Sequence, residues 1–554
     1  MNNSPLSPWD RFFNLLSIER KDIFQIFYYA LFSGIVALSL PLGIQAIINL
    51  IQGAEISSSW IVLIVLVTLG AAFNGILQLM QLRIIETMQQ RIFTKSSFEL
   101  SYRFPKMTME ELRNYYPPEL ANRFFDNLTI QKGLTKILID VPAALLQVVF
   151  ALLLLSFYHP LFIAYGIVLL GGVYLVFKYS IQKGLKTSLE ESKYKYKVAH
   201  WIQEVARSVV SFKLSGKTNL ALHKNDLLVE KYLNARENHF GVIKSQYIKM
   251  IIFKALITAG LLSIGGVLVL MQRMNIGQFV AAEIIILLVI ASIEKLIVGL
   301  ETLYDMLTSI EKLGQVVDKP LESQEGEKVN LKNELNIEFE NVSYRVPNRE
   351  KAILSNLNLK IHKGDKLLIQ GESGSGKSTF LRMLAGLIKP SEGSLFINNL
   401  NSEGIYLNHY RSQLGLSLSE EYPFEGSLRE NLSFGDPSIS DEEIYKVLDK
   451  VGLSLFLKEL PQGLNTVIYP EGKQISHTNS KKIVLARAIL KKPQLLILED
   501  ALDQFSSSET KEIIDYLSDP NQQWTLVVVS SNQYWKTYAN KVVNLNKGEL
   551  AKTK

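Results

Sequence analysis

The stretch Gly371–Thr379 reads GESGSGKST. It meets the pattern G-x-x-x-x-G-K-[ST] at Gly371, Gly376, Lys377 and Ser378. Its flanks give the match physical meaning: KLLIQ before it reads as a strand and TFLRMLAGLIK after it reads as a helix. In that setting Gly371, Glu372, Ser373, Gly374, Ser375, Gly376, Lys377, Ser378 and Thr379 are expected to wrap the phosphates of a nucleotide. The glycines let the backbone close in, and the amides and helix N-terminus point at negative charge. Lys377 is expected to reach the terminal phosphates, and the Ser378 hydroxyl can ligand magnesium.

Working outward, the chain divides into two regions of different composition. Of its 554 residues 47% are hydrophobic and the mean hydropathy is +0.13, yet from about residue 320 onward the sequence reads as a soluble α/β domain. The apolar excess lies in the first 300 residues. A helix needs roughly 20 apolar residues to cross a bilayer, and Ile23–Ile51 runs 29 residues without a charge. Further runs cover Trp60–Leu82, Val141–Tyr158, Leu161–Phe177, Ala255–Met271 and Gly277 to about Leu300. The net charge of +6 is small for this length and its cations fall mostly between apolar runs, so the expected partner is a lipid bilayer, not nucleic acid. No cysteine is present, which excludes disulfides and thiolate chemistry.

The short connections QGAEISSS and YHP carry no Lys or Arg, and QRMNIGQ carries only Arg273, which places them outside. The long segments Arg83–Lys136 and Lys178–Lys254 are helix-patterned and rich in Lys and Arg, which places them, and with them both termini, in the cytoplasm. They read as two helical hairpins reaching toward a soluble domain. PWDRFFNLL reads as a helix along the membrane surface or a packed N-terminal helix, and no small-residue cleavage site precedes the first apolar run, so a removed signal peptide is not expected. In the sixth run Glu283 and Glu294 are ten residues apart. Either both line a translocation path or the helix extends past the bilayer with one acid near each interface. Lys249 and Lys254 read as snorkelling cations. KPLESQEGEKVNLKNE is a charged linker. The expected organisation is a segment over 1–20, a transmembrane domain over 21–318, the linker over 319–334 and a nucleotide-binding domain over 335–554.

Six spans with long cytoplasmic hairpins followed by a P-loop domain resemble an ABC exporter half-transporter over essentially the whole chain. FEGSLRENLSFGDP, KKIVLARAILKKPQLLIL and NKVVNLNKGEL look like further segments of that family's ATP-binding domain. SLPLGIQAIINLIQG and FPKMTMEELRNYYPPELANRFFDN look most like type I secretion (haemolysin-type) transporters. The resemblance implies an all-α six-helix transmembrane domain followed by an α/β P-loop domain, with ATP and Mg2+ as ligands. It also implies a bacterial inner-membrane location, a homodimer or a heterodimer with another half-transporter, and a periplasmic adaptor as a further partner.

Other positions of that family's ATP site depart from its pattern. The acidic pair after LLIL is Glu499 then Asp500, where the family has Asp then Glu. Glu499 is expected to hold magnesium through water, and Asp500 stands where a glutamate would polarise the attacking water, one methylene short. The switch histidine falls on Ser531, the Q-loop glutamine on Ser419, and the adenine-stacking aromatic on Val346, with Tyr344 as a neighbouring substitute. The signature L-S-G-G-Q reads Ile475, Ser476, His477, Thr478, Asn479, and DQFS replaces S-A-L-D. His477 reads as a surface residue, since no second ligand sits at metal spacing. Three readings stay open: a transporter driven by nucleotide binding with slow or absent hydrolysis, a non-hydrolysing structural or regulatory subunit, and an ATP-gated channel.

Overall fold

The computed structural model describes residues 6–52, 58–113, 115–347, 349 and 351–551. Most of the connection QGAEISSS therefore lies outside the described residues. The chain forms two compact units, residues 1–106 with 114–319, and residues 107–113 with 320–554.

The first unit is helical. Among the described residues six helical stretches are long and apolar enough to cross a membrane: Arg20–Gln52, Ser58–Lys106, Pro117–Ser156, Leu161–Arg207, Leu220–Leu270 and Ile276–Val317. The first breaks at Leu38 into Arg20–Ala37 and Ser39–Gln52. Pro41 accounts for the break, because it has no N–H to give the carbonyl one turn back. Ser58–Arg103 and Leu161–Arg207 run 46 and 47 residues, well past the apolar runs that start them. The apolar runs and the polar extensions that follow them are thus single rods. Ile276–Val317 is the most buried of these six, packed against Asp126–Ser156 around Ala151, Leu155, Ile285 and Val289. Ser58–Arg103 instead exposes Ile61, Leu69 and Leu79, a face suited to lipid.

In the sixth helix Glu283 is exposed and Glu294 pairs with Lys254 at 2.5 Å. Lys254 thus has a carboxylate partner one helix away as well as partial access to solvent. A shorter helix, Pro8–Ile18, starts with Ser7 and Asp10 in a capping box and buries Phe12.

The second unit is α/β. Strands β1 (Asn336–Tyr344), β2 (Leu354–His362), β4 (Glu392–Ile397) and β5 (Leu400–Asn401) form an antiparallel sheet in the order β2-β1-β4-β5. Strands β3 (Lys366–Gln370), β6 (Leu414–Ser417), β9 (Leu495–Glu499), β10 (Thr525–Val529), β11 (Lys541–Asn546) and β12 (Glu549–Leu550) form the second, ordered β12-β11-β3-β10-β9-β6. It is parallel except for β12. A ribbon of β7 (Gly426–Ser427) and β8 (Val467–Ile468) completes the strands. All five residues of β9 and of β10 are buried, as a sheet covered on both faces requires.

The linker residues are ordered onto this unit. Leu321 bridges to Met107, Glu322 makes a bidentate pair with Arg411, and Leu331 N–H donates to Gln413. The short helix Met109–Leu112 belongs to the same unit, with the Lys389 amide donating to Glu110 at 3.4 Å.

Candidate functional site

Open parallel sheets bind ligands beyond the carboxyl ends of their strands. Three neighbouring ends meet here: β3 runs into Gly371–Thr379, β9 ends at Glu499, and β10 leads into Ser530 and Ser531. The loop after β3 can turn only because of its glycines. Gly371, Gly374 and Gly376 have φ of 152°, 80° and 102°. A Cβ on Gly371 would sit 2.2 Å from the Leu545 carbonyl oxygen, and one on Gly376 2.7 Å from Leu354. Gly376 then caps the helix Lys377–Leu384, which aims its free amides at the loop.

Lys377 Nζ donates to the carbonyls of Gly371 and Glu372, both at 2.8 Å, and so holds the loop in a cradle. Ser375 Oγ is buried in this cradle without a hydrogen-bond partner among the described residues. The cradle opens on a cleft of about 950 Å³ lined by the loop, by Glu499 and Asp500, and by Arg349, Lys351 and Lys547. Four cations facing two carboxylates, around a loop with inward-pointing amides, suit a polyphosphate accompanied by a divalent cation. ATP with magnesium therefore fits these residues. Lys377 and the loop amides would hold phosphate, and Ser378 with Glu499 would hold the metal.

The acidic end of the cleft has its own architecture. Glu499 Oε2 accepts from the Ser419 amide at 3.2 Å and its hydroxyl at 3.0 Å. Ser419 is in turn held by Lys481, whose ammonium donates to its carbonyl at 2.5 Å and to that of Glu421 at 3.1 Å. Asp500 takes a left-handed backbone with φ of 46°, and its amide donates to the Val529 carbonyl at 2.9 Å. Although Asp500 opens on the cleft, desolvation by the surrounding protein raises its pKa to about 6. The charges of Asp503 and Glu499 and a hydrogen bond with Asp503 add to the rise, and Lys377 opposes it. Asp503 also accepts from Ser530 at 3.0 Å and Ser531 at 3.4 Å.

The sequence-predicted residues are therefore brought together in part. The P-loop, Glu499 and Asp500 share the cleft, whereas Ser531 faces Asp503 and is not among the residues lining it. Val346 and Tyr344 are both 8% exposed and belong to the core of the antiparallel sheet. Tyr344 therefore cannot replace the adenine-stacking ring, because β1 alternation turns it inward opposite Leu354. Ser476 caps the helix His477–Leu490, accepting from the Asn479 amide at 3.1 Å, and His477 is exposed. Sequence reasoning missed Arg349, Lys351 and Lys547, which no spacing rule marks, and the role of Asp503, which depends on the turn after β9.

Residues 354–503 match the ABC transporter family. The chain is homologous to the alpha-hemolysin translocation ATP-binding protein HlyB of Escherichia coli O157:H7, 28% identical over 287 residues, 52% of this chain and 41% of that one. It matches the leukotoxin translocation ATP-binding protein LktB of Mannheimia glucosida at 28% identity over 52% of this chain and 40% of that one. The matched part thus spans about two fifths of these relatives' length. In fold it resembles a bacterial Atm1-family ABC exporter solved with ATP bound, with a TM-score of 0.86 at 16% identity, covering 97% of this chain and 96% of the other. Residues 354–503 thus carry an ABC transporter domain behind six apolar helices, and the chain is similar to type I secretion exporters, with an organisation that fits an exporter half-transporter.

Proposed function

We propose that this chain is a dimeric half-transporter that couples ATP binding to movement of a cargo across the membrane, with hydrolysis slow or absent. The observation that carries the reading is the contrast within one cleft: an intact phosphate cradle beside an altered acid pair. Binding needs the amides of Gly371–Thr379 and Lys377, supplemented by Arg349, Lys351 and Lys547. Hydrolysis needs more. A water oxygen must bond to the terminal phosphorus as the bond to the bridging oxygen breaks, ADP departs, and the water's proton passes to a base. Magnesium, when bound, would neutralise phosphate charge.

The base position holds Asp500, whose raised pKa of about 6 leaves it partly protonated near neutral pH, and Asp503 competes for its carboxyl. A misplacement of about 1 Å costs on the order of a hundredfold in rate. Ser531 offers no imidazole near the terminal phosphate, and Glu499 is already engaged by Ser419. A second reading, a non-hydrolysing subunit that signals its bound nucleotide to a partner, is favoured by this same engagement of Glu499.

The deciding experiment measures ATP binding and magnesium-dependent phosphate release by the full chain in lipid nanodiscs, beside Lys377→Ala. We expect ATP binding that the substitution weakens at least tenfold, with phosphate release far below that of an ABC exporter carrying the family's full set of residues. Turnover at ordinary exporter rates that Lys377→Ala abolishes would reject slow hydrolysis and leave an ordinary ATP-driven transporter. Absence of binding would reject both readings.

A further inference from the structure

A second charged cleft lies within the helical unit, far from the P-loop in sequence. It has a volume of about 600 Å³ and is lined by five cations, Arg123, Lys193, Lys197, Lys224 and Lys312, with Trp201 as an aromatic wall. Two carboxylates also line it, and both are engaged. Glu119 meets His200 at 3.0 Å and Arg123 at 3.6 Å, while Glu204 takes both arms of Arg207 at 2.7 and 3.0 Å. The cleft therefore keeps an excess of positive charge.

Two of its cations, one buried and one half-buried, lack a full set of partners. Lys312 is 9% exposed and makes no hydrogen bond or ion pair among the described residues; the Tyr196 ring lies 5.8 Å from its ammonium. Arg123 lies against the same ring at 3.4 Å, and its Nη1 is buried with no hydrogen-bond partner. The Tyr196 hydroxyl donates a hydrogen bond to Asp126, so that acid, too, is engaged. Burial lowers the pKa of Lys312, and the charge of Arg123 lowers it further, against the pull of Asp126 and Glu311. Buried charges are ordinarily paired, so an ammonium and a guanidinium left short of acceptors on one wall ask for an anion.

The position selects the source of that anion. Lys193 lies sixteen residues beyond Phe177, the end of its apolar run, which is about 24 Å along a continuous helix. That distance is too great for a lipid headgroup at the bilayer surface. We propose that this cleft binds a soluble, phosphate-bearing anion of two or more negative charges, at a site separate from the P-loop.

The test uses the full Lys377→Ala chain in phosphatidylcholine nanodiscs, titrated with inorganic pyrophosphate by calorimetry. Binding is expected, weakened at least tenfold by Lys312→Met and by Lys224→Gln and unchanged by Lys458→Gln, an exposed control that does not line the cleft. Lys312→Met should also melt higher than its parent without pyrophosphate, because it removes an unpaired buried charge, and should lose the parent's melting shift with pyrophosphate. Equal binding in all variants, or none in the parent, overturns the proposal. Pyrophosphate displaced by phosphatidylglycerol in the nanodisc would assign the site to lipid instead. A change in dimer fraction in Lys312→Met without a change in pyrophosphate binding would assign it to an acidic segment of a second copy.

Discussion

Asp500 combines two features that oppose each other. Its left-handed backbone, fixed by the hydrogen bond its amide donates to the Val529 carbonyl, turns its carboxyl toward the cleft, yet desolvation and the neighbouring Asp503 and Glu499 disfavour its charge. A carboxyl whose pKa is about 6 when folded, above its ordinary 3.8, costs the folded chain stability that grows as pH rises past the unfolded value and is complete above the folded one. Below the unfolded value both states are protonated and the cost vanishes. Asp500→Asn should therefore raise the melting temperature by about 1–3 °C at pH 8. The gain should shrink as pH falls from 6 and be absent below about pH 4. A constant gain at all pH values would show that Asp500 is not the group responsible. The swapped order of Glu499 and Asp500 was plain in the sequence. The competition from Asp503 was not, because it arises from a turn that brings a residue three places on back to the same carboxyl.

At the scale of elements, the P-loop was legible because strand, glycines and helix follow one another without a gap. The linker was not. Its charges, written between two domains, mark a linker without naming a partner for any of them, and Glu322 is 9% exposed at its side chain and clasped by Arg411 at 2.6 and 2.9 Å. Charge in a sequence reports a need for a partner and cannot say whether that partner is water or an arginine ninety residues on. Removing one member of such a pair strands the other. Arg411→Gln should destabilise the nucleotide-binding unit by about 3 kcal/mol, read from the denaturation of the full chain. The double change Arg411→Leu, Glu322→Leu should cost much less. A loss within 0.5 kcal/mol for Arg411→Gln, on the order of a surface pair, would mean the clasp is solvated. The six long helices, by contrast, were anticipated from the apolar runs, though not their continuity, since hydropathy marks where lipid ends and says nothing of where a helix does.

At the scale of the whole molecule, the absence of cysteine offers a direct test of orientation. Ser215, in the connection after Leu161–Arg207, and Arg273, between the fifth and sixth long helices, are both exposed. In the proposed topology Ser215→Cys reacts with an impermeant maleimide only from the ATP side, and Arg273→Cys only from the opposite side. Labelling of both from one side would refute the six-span arrangement. The long helices carry a mechanical consequence as well. At 1.5 Å per residue the 47 and 51 residues of Leu161–Arg207 and Leu220–Leu270 make rods of about 70 and 76 Å. Pivoted near its midpoint, such a rod turns a tilt of about 5° into roughly 3 Å of travel at its tip. Small rotations among the apolar segments are thus geared up, and stiffness along the rod, more than any single contact, sets how faithfully a stroke at one end reaches the other.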